Sequence, residues 1–127
     1  MVKKQTAVVV SRWSGSKHPT LSNITRLMQQ DGLRPYKWET RPNQRYAVRT
    51  HGYAKILFLV SGTLELQLPD SNQRVKMRSG DRIEIPARVR HGSVTGSQGA
   101  VCMEAAVRPR RLAPAPQPSW AISVSPS

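Results

Sequence analysis

Four residues in two segments of the chain carry side chains that could hold a ligand. Arg49, His51 and Lys55 lie in the segment RTHGYAKILFLVSG, and His91 follows the segment GDRIEIPARVR. Positions 49, 51 and 55 have the same parity, so on one continuous β-strand their side chains lie on one face. The arginine could then bind a carboxylate or phosphate through a bidentate fork, and the lysine could bind it as a point charge. The two histidines could supply hydrogen bonds or a proton.

The same two histidines could instead bind a divalent metal ion. His51 and His91 are a small ligand set, because stable catalytic metal sites generally use at least three protein ligands. Other residues could complete an altered site, and these are Glu65, Glu84, Cys102 and Glu104. Arg49 and Lys55 would oppose a metal, because arginine stays protonated and a lysine beside a dication must lose its proton.

A structural role for the same residues is the third alternative. Lys55 could form an ion pair with Glu65 or Glu104, Arg49 could point outward, and the two histidines could be satisfied core residues. From the residues alone, the anion site, the metal site and the structural ion pair all stay open.

Short strand-like segments surround these residues and predict an all-β domain. Between residues 36 and 107, short strand-like runs are separated by Pro, Gly, Asn, Asp and Ser. The runs are YKWET, RYAVRTH, KILFLVSG, TLELQL, QRVKM, DRIEIP and GAVCMEAAV. TLELQL alternates, which predicts a strand with one buried face, whereas ILFLV predicts a strand covered on both faces. Tyr36 and Trp38 could line a barrel mouth or pack against a helix. Many short strands with frequent turns favour a sandwich or barrel.

One helix and two flanking segments complete the predicted organisation. TLSNITRLMQQDG has apolar residues at helical spacing after an N-cap at Thr20 or Ser22. We divide the chain into an N-terminal strand and loop segment (1–19), a barrel with its preceding helix (20–107) and a C-terminal tail (108–127). The tail contains five prolines, which favour extended chain over a central position in a sheet.

Composition limits the classes of partner. The net charge is +13, which could attract nucleic acid, an anionic membrane or an anionic small molecule. The basic residues are spread from Lys3 to Arg111 and not clustered on one element, so we expect no nucleic-acid partner. No apolar stretch approaches the roughly 20 residues that span a bilayer. The run from Ala7 to Val10 is too short for a signal peptide, and the single cysteine, Cys102, cannot form an internal disulfide. We expect a cytoplasmic protein without a membrane segment.

The first ligand-bearing segment resembles a motif of small single-domain cupins. That motif, G-x5-H-x-H-x(3,4)-E-x6-G, aligns with Arg49, His51, Lys55 and Gly62, because six residues separate Lys55 from Gly62. His51 occupies the position of the second histidine. Arg49 replaces the first histidine, Lys55 replaces the glutamate, and the opening glycine of the motif is absent.

The second segment resembles the other cupin motif, G-x5-P-x-G-x2-H-x3-N. Gly80, Pro86 and His91 stand at the expected spacings. Arg88 replaces the middle glycine and Thr95 replaces the closing asparagine. The two motifs occur in the expected order within an all-β pattern, so the resemblance points to the fold.

The resemblance implies a double-stranded β-helix, or jelly-roll barrel, here with one short N-terminal α-helix. In that family three histidines and one glutamate bind Fe, Mn, Ni or Zn inside the barrel, and small cupins often form homodimers. We predict a small cupin-domain protein that binds a small anionic molecule at Arg49, His51, Lys55 and His91, as a homodimer and without a metal. One alternative is a metal-dependent cupin enzyme (isomerase, lyase or dioxygenase) that uses His51 and His91. A second alternative is a nucleic-acid-associated basic protein.

Overall fold

The computed structural model describes residues 8–13 and 19–107. They form β1 (Val9–Ser11), α1 (Leu21–Gln30), β2 (Tyr36–Thr40), β3 (Arg45–Arg49), β4 (Ala54–Leu68), a 3-10 turn (Pro69–Ser71), β5 (Gln73–Met77), β6 (Arg82–Ile85) and β7 (His91–Val107). The predicted tail, and residues 1–7 and 14–18 of the predicted N-terminal segment, lie outside the described residues.

Two long antiparallel strands, β4 and β7, organise the barrel. They pair with each other along most of their lengths, and every other strand is added to one part of this pair. The first part of β4 pairs with β6, which in turn pairs with β1, and the last part of β7 pairs with β2. The last part of β4 pairs with β5, and the first part of β7 pairs with β3. Each long strand therefore contributes to two groups of short strands, which is how one sheet closes around a core.

A corner of close backbone contact lies where β4 and β7 pass from one group of strands to the other. The register of the pair shifts between Leu59 and Ser61 and again between Gly62 and Leu64. Gly62 has a φ of +82°, and a Cβ built on it would lie 2.1 Å from the carbonyl oxygen of Gly99. Only glycine fits this position, because a side chain would be strained by the positive φ and would also collide with the facing backbone.

The barrel interior is apolar along most of its length. Leu64, Leu66 and Leu68 are all buried in one core cluster, which confirms the predicted alternation in TLELQL. The rest of this cluster comes from the first part of β4 and from β5, β6 and β7, and it consists of Leu57, Leu59, Met77, Ile83, Ile85, Ala100 and Cys102. Period-two placement of leucine therefore fills the barrel and leaves polar groups only near its ends.

The helix α1 covers the outer face of β4 and β7. Ile24 and Met28 are fully buried in a second cluster against Ile56, Phe58, Val60, Met103 and Ala105. The run ILFLV is consequently buried on both faces, as its continuous apolar composition predicts. The Thr20 hydroxyl accepts a hydrogen bond from the Asn23 N–H at 3.1 Å and caps the helix. Among the described residues, no helix has the length and apolar character required to cross a membrane.

Candidate functional site

A buried ion pair between Lys55 and Glu104 forms the centre of the candidate site. Lys55 is near the start of β4, on the same side of the strand as the core residues Leu57 and Leu59. Glu104 lies on β7 opposite Leu57, so the two charged side chains are diagonal neighbours across the strand pair. The Lys55 Nζ is 3.1 Å from Glu104 Oε2, and the side chains are only 14% and 9% exposed. Of the two acids considered as partners of Lys55, the structure pairs it with Glu104.

Two aromatic side chains of β2 complete the surroundings of this carboxylate. The strand register places Tyr36 opposite Glu104 and Trp38 opposite Cys102. The Tyr36 hydroxyl donates to Oε2 of Glu104 at 2.8 Å, and the Trp38 Nε1–H donates to Oε1 at 2.8 Å. Both carboxylate oxygens are therefore occupied by donors. Burial and the adjacent carboxylate raise the pKa of the Tyr36 hydroxyl, which keeps it protonated at neutral pH.

The two histidines lie next to each other beside the ion pair. His51 follows β3 in the loop before β4, and His91 is the first residue of β7. Their ring centroids are 5.4 Å apart, and the ring of Tyr53 lies 5.1 Å from His51 on centroids. His91 Nδ1 is 2.9 Å from the carbonyl oxygen of Val89. A carbonyl oxygen only accepts, so Nδ1 carries the hydrogen and Nε2 keeps its lone pair in the neutral ring.

Both imidazoles are held in the neutral form. Burial lowers the pKa of His91 and of His51, and the positive charge of Lys55 lowers both further. Arg49 also lowers the pKa of His51, whereas Glu104 acts in the opposite direction on both rings. At neutral pH the histidines can thus accept a hydrogen bond or a proton. Together six residues form a polar cluster, and these are Tyr36, Trp38, His51, Lys55, His91 and Glu104.

Arg49 lies beside the polar cluster and not inside it. A shared face for positions 49, 51 and 55 would require one continuous strand, whereas β3 ends at Arg49 and β4 begins at Ala54. The intervening loop contains Gly52, and strand parity does not carry across a loop. Arg49 is exposed, and its Cα pairs with that of His91 in the β3–β7 register. It can still reach a ligand at the cluster from the solvent side.

Three of the four residues considered as extra metal ligands, Glu65, Glu84 and Cys102, have other surroundings in the structure. Glu65 lies between the buried Leu64 and Leu66 and so points to the opposite face, and it pairs in register with Lys76 of β5. Glu84 forms an ion pair with Arg82 at 3.5 Å. Cys102 is fully buried in the apolar core, where burial and Glu104 raise the pKa of its thiol to about 12. A fully buried thiol with this pKa is protonated at neutral pH and is a poor nucleophile.

The donor set consequently does not fit the metal that the cupin resemblance implies. No group of three or more His, Cys, Asp or Glu side chains within residues 8–13 and 19–107 is arranged to hold a metal ion. Within the described ranges, Glu104 is the carboxylate that acts on both His51 and His91, and its oxygens already receive the donors of Tyr36, Trp38 and Lys55. An ammonium group in this shell would repel a dication.

The sequence indicated most members of the polar cluster, including Glu104 as one possible ion partner of Lys55, but not the hydrogen bonds from Tyr36 and Trp38 to Glu104. Tyr36 and Trp38 were expected at a barrel mouth or against the helix, and the structure places them on Glu104. The alternation in YKWET was the available signal, since it puts both aromatic rings on one face of a strand.

This fold, with two motif histidines beside an ion pair, defines a small cupin domain. No protein-family model and no curated protein sequence matches the chain. Among solved structures it is similar to an RmlC-like cupin from Shewanella frigidimarina, with 19% identity, a TM-score of 0.53 and coverage of 62% of this chain and 68% of that one. KdgF from Halomonas sp. is 19% identical, with a TM-score of 0.51 and coverage of 61% and 71%.

A third solved structure of the same fold is the polyketide cyclase RemF from Streptomyces resistomycificus. It is 25% identical, with a TM-score of 0.52, over 61% of this chain and 58% of RemF. These likenesses confirm the predicted all-β jelly-roll fold.

Proposed function

We propose that the protein binds a small anionic molecule at the polar cluster, with the Lys55 ammonium as the positive centre in place of a metal ion. The observation that carries the proposal is the placement of Lys55 on the inner side of β4, with its side chain 14% exposed. Among the residues that the structure describes, Glu104 is the carboxylate that pairs with this ammonium. Two of the three N–H donors of Lys55 are thus available to a ligand.

The local charge favours an anion. Lys55 and Glu104 cancel, both histidines are neutral, and Arg49 has no acidic partner in the described part of the chain. One positive charge therefore remains beside two free ammonium donors. A carboxylate or phosphate group would satisfy these donors with short, charge-assisted hydrogen bonds.

The histidines give the ligand a second recognition point. His91 Nε2 carries a lone pair, because Nδ1 donates to the Val89 carbonyl. It can accept a hydrogen bond from a ligand hydroxyl, or from a protonated acid. A small molecule with an anionic group and a hydroxyl fits both recognition points. A related fold in a protein named as a polyketide cyclase also supports a small-molecule ligand. The homodimer and the cytoplasmic location stay predictions.

The test is calorimetric titration of chelator-treated protein with inorganic phosphate and with malonate at pH 7. We expect one site per chain, with a Kd of about 1 mM or lower. The double variant K55M/E104Q removes the ammonium while leaving the net charge unchanged, and it should weaken binding about tenfold or more. K37M/E39Q is the matched control, because it makes the same chemical change in an exposed pair 3.2 Å apart on β2.

Three results would count against this proposal. The wild-type protein could bind neither anion, or K55M/E104Q could bind as well as K37M/E39Q. Purified protein could also carry about one Fe, Mn, Ni or Zn per chain by elemental analysis and lose it in a His91→Ala variant. That last result would support the metal-dependent alternative.

A further inference from the structure

Arg88 has an unfavourable backbone conformation next to the polar cluster. Its φ is +63°, in the left-handed region where a residue with a Cβ is strained and glycine is not. The other non-glycine residues of the described chain with positive φ are Asn43 and Asn72. Asparagine tolerates this region because its short side chain can hydrogen-bond locally. An arginine has no such compensation, so the strain calls for another explanation.

The position of Arg88 links the two histidine-bearing segments. Its backbone N–H donates to the carbonyl oxygen of His51 at 2.7 Å, which fixes the turn against the loop after β3. The same turn begins just after Ile85, the Cα partner of Lys55, and leads into His91. Arg88 therefore lies in a turn that is hydrogen-bonded to the His51 loop and that connects the partner residue of Lys55 with His91.

The guanidinium of Arg88 has no protein partner in the part of the chain that the structure describes. The residue is exposed, and the described ion pairs of arginine involve Arg12, Arg82 and Arg90. The contrast with Arg90 is informative, because that neighbouring arginine pairs with Asp70 at 2.8 Å. The chain thus provides an acid for Arg90 and none for Arg88, although Arg88 is the one under strain.

We propose that Arg88 is a second anchor for the ligand. Its guanidinium binds the carboxylate or phosphate from the rim as a bidentate fork, while Lys55 binds the same anionic group from within. This inference rests on the proposed function, since it adds a residue to the same site. An anchor role explains the strained backbone, because the conformation of Arg88 belongs to a turn that is hydrogen-bonded to the His51 carbonyl oxygen beside the cluster.

The experiment compares R88G, R88K and wild type by thermal unfolding and by titration with inorganic phosphate and malonate. R88G removes the strain and the guanidinium together. We expect it to raise the Tm of the ligand-free protein by about 2–5 °C and to weaken anion binding about tenfold or more. R88K keeps the charge and the strain but loses the fork, so its Tm stays near that of wild type and its affinity falls by less. R26A, on the exposed side of α1, is the control and should bind as wild type does.

The outcomes separate this inference from the function on which it rests. If wild type binds an anion and R88G binds it equally well, the anchor role is wrong and the proposed function stands. If R88G is less stable than wild type, Arg88 has a structural role and the strain argument is refuted. If wild type binds neither anion, the proposed function falls and the anchor role falls with it. Opposite changes in R88G, with higher Tm and weaker binding, support the inference, because a purely structural residue would not separate them.

Discussion

Replacing Lys55 by methionine tests how strongly the polar cluster depends on its ion pair. The change keeps the length of the apolar stem and removes the ammonium. Glu104 would lose its charged partner while its side chain is only 9% exposed, and Tyr36 and Trp38 would be its remaining donors. Removing one partner of a buried pair costs about 3–5 kcal/mol of unfolding free energy. Two retained hydrogen bonds and partial exposure of the site reduce this, so we expect a loss of about 2–4 kcal/mol.

The double variant K55M/E104Q should be less harmful than its two parents suggest. In E104Q the new amide N–H₂ has to face the donors of Tyr36 or Lys55, which we expect to cost about 2 kcal/mol. In the double variant the ammonium is gone, so the amide oxygen can accept from Trp38 and the amide N–H₂ can donate to the Tyr36 hydroxyl. We therefore expect a coupling energy of about 2–3 kcal/mol between positions 55 and 104.

Urea denaturation of the four proteins at pH 7.5 measures this coupling. The exposed pair of Lys37 and Glu39 provides the matched cycle, because its atoms are 3.2 Å apart but its side chains are 47% and 58% exposed. Its coupling should be below about 1 kcal/mol. A coupling between Lys55 and Glu104 no larger than that of the control pair would refute the buried ion pair on which the proposed site depends.

Two further predictions concern the histidines and the glycine corner. The folded-state pKa of His51 and of His91 lies below 6.5, so the unfolded chain binds more protons in acid. The neutral forms contribute their full stability above pH 6.5, and this stability is lost as the pH falls through and below that value. H51Q/H91Q should therefore flatten the dependence of the unfolding free energy on pH in urea titrations from pH 5 to 8. Parallel curves for the variant and the wild type would contradict this prediction. Gly62→Ala should lower the unfolding free energy by about 3 kcal/mol, because its Cβ would meet the Gly99 carbonyl oxygen at 2.1 Å. In Gly52→Ala nothing lies within 4 Å of the new Cβ, so the unfolding free energy should change by less than about 0.5 kcal/mol. Equal losses in the two variants would refute the close backbone contact at Gly62.

Much of the fold could be predicted because its signals are local. The alternation of Leu64, Leu66 and Leu68 predicted a one-sided strand, and the continuous run from Ile56 to Val60 predicted a strand covered on both faces. In both cases the side-chain period follows from the geometry of a single strand. The cap at Thr20 was also predictable, since a hydroxyl three residues before a free N–H is enough to form it.

The site was harder to predict because its contacts join distant parts of the chain. The shared parity of Arg49 and Lys55 allowed both side chains to lie on one face of a strand, and only the structure showed that a loop separates them. Glu104 was considered equally as a metal ligand and as an ion partner, and nothing near it in sequence distinguishes the two roles.

The sequence by itself determined an all-β fold with one helix, the one-sided burial of TLELQL and the two-sided burial of ILFLV. The structure joins KILFLVSG and TLELQL, two separate runs in the sequence, into the single strand β4. The tertiary structure decided that the Lys55 ammonium meets the Glu104 carboxylate and that Tyr36 and Trp38 occupy the same oxygens. The physical reason is that burial follows from a pattern within each strand. Which charges meet depends on the register between strands, and here that register shifts at the bulges of β4 and β7.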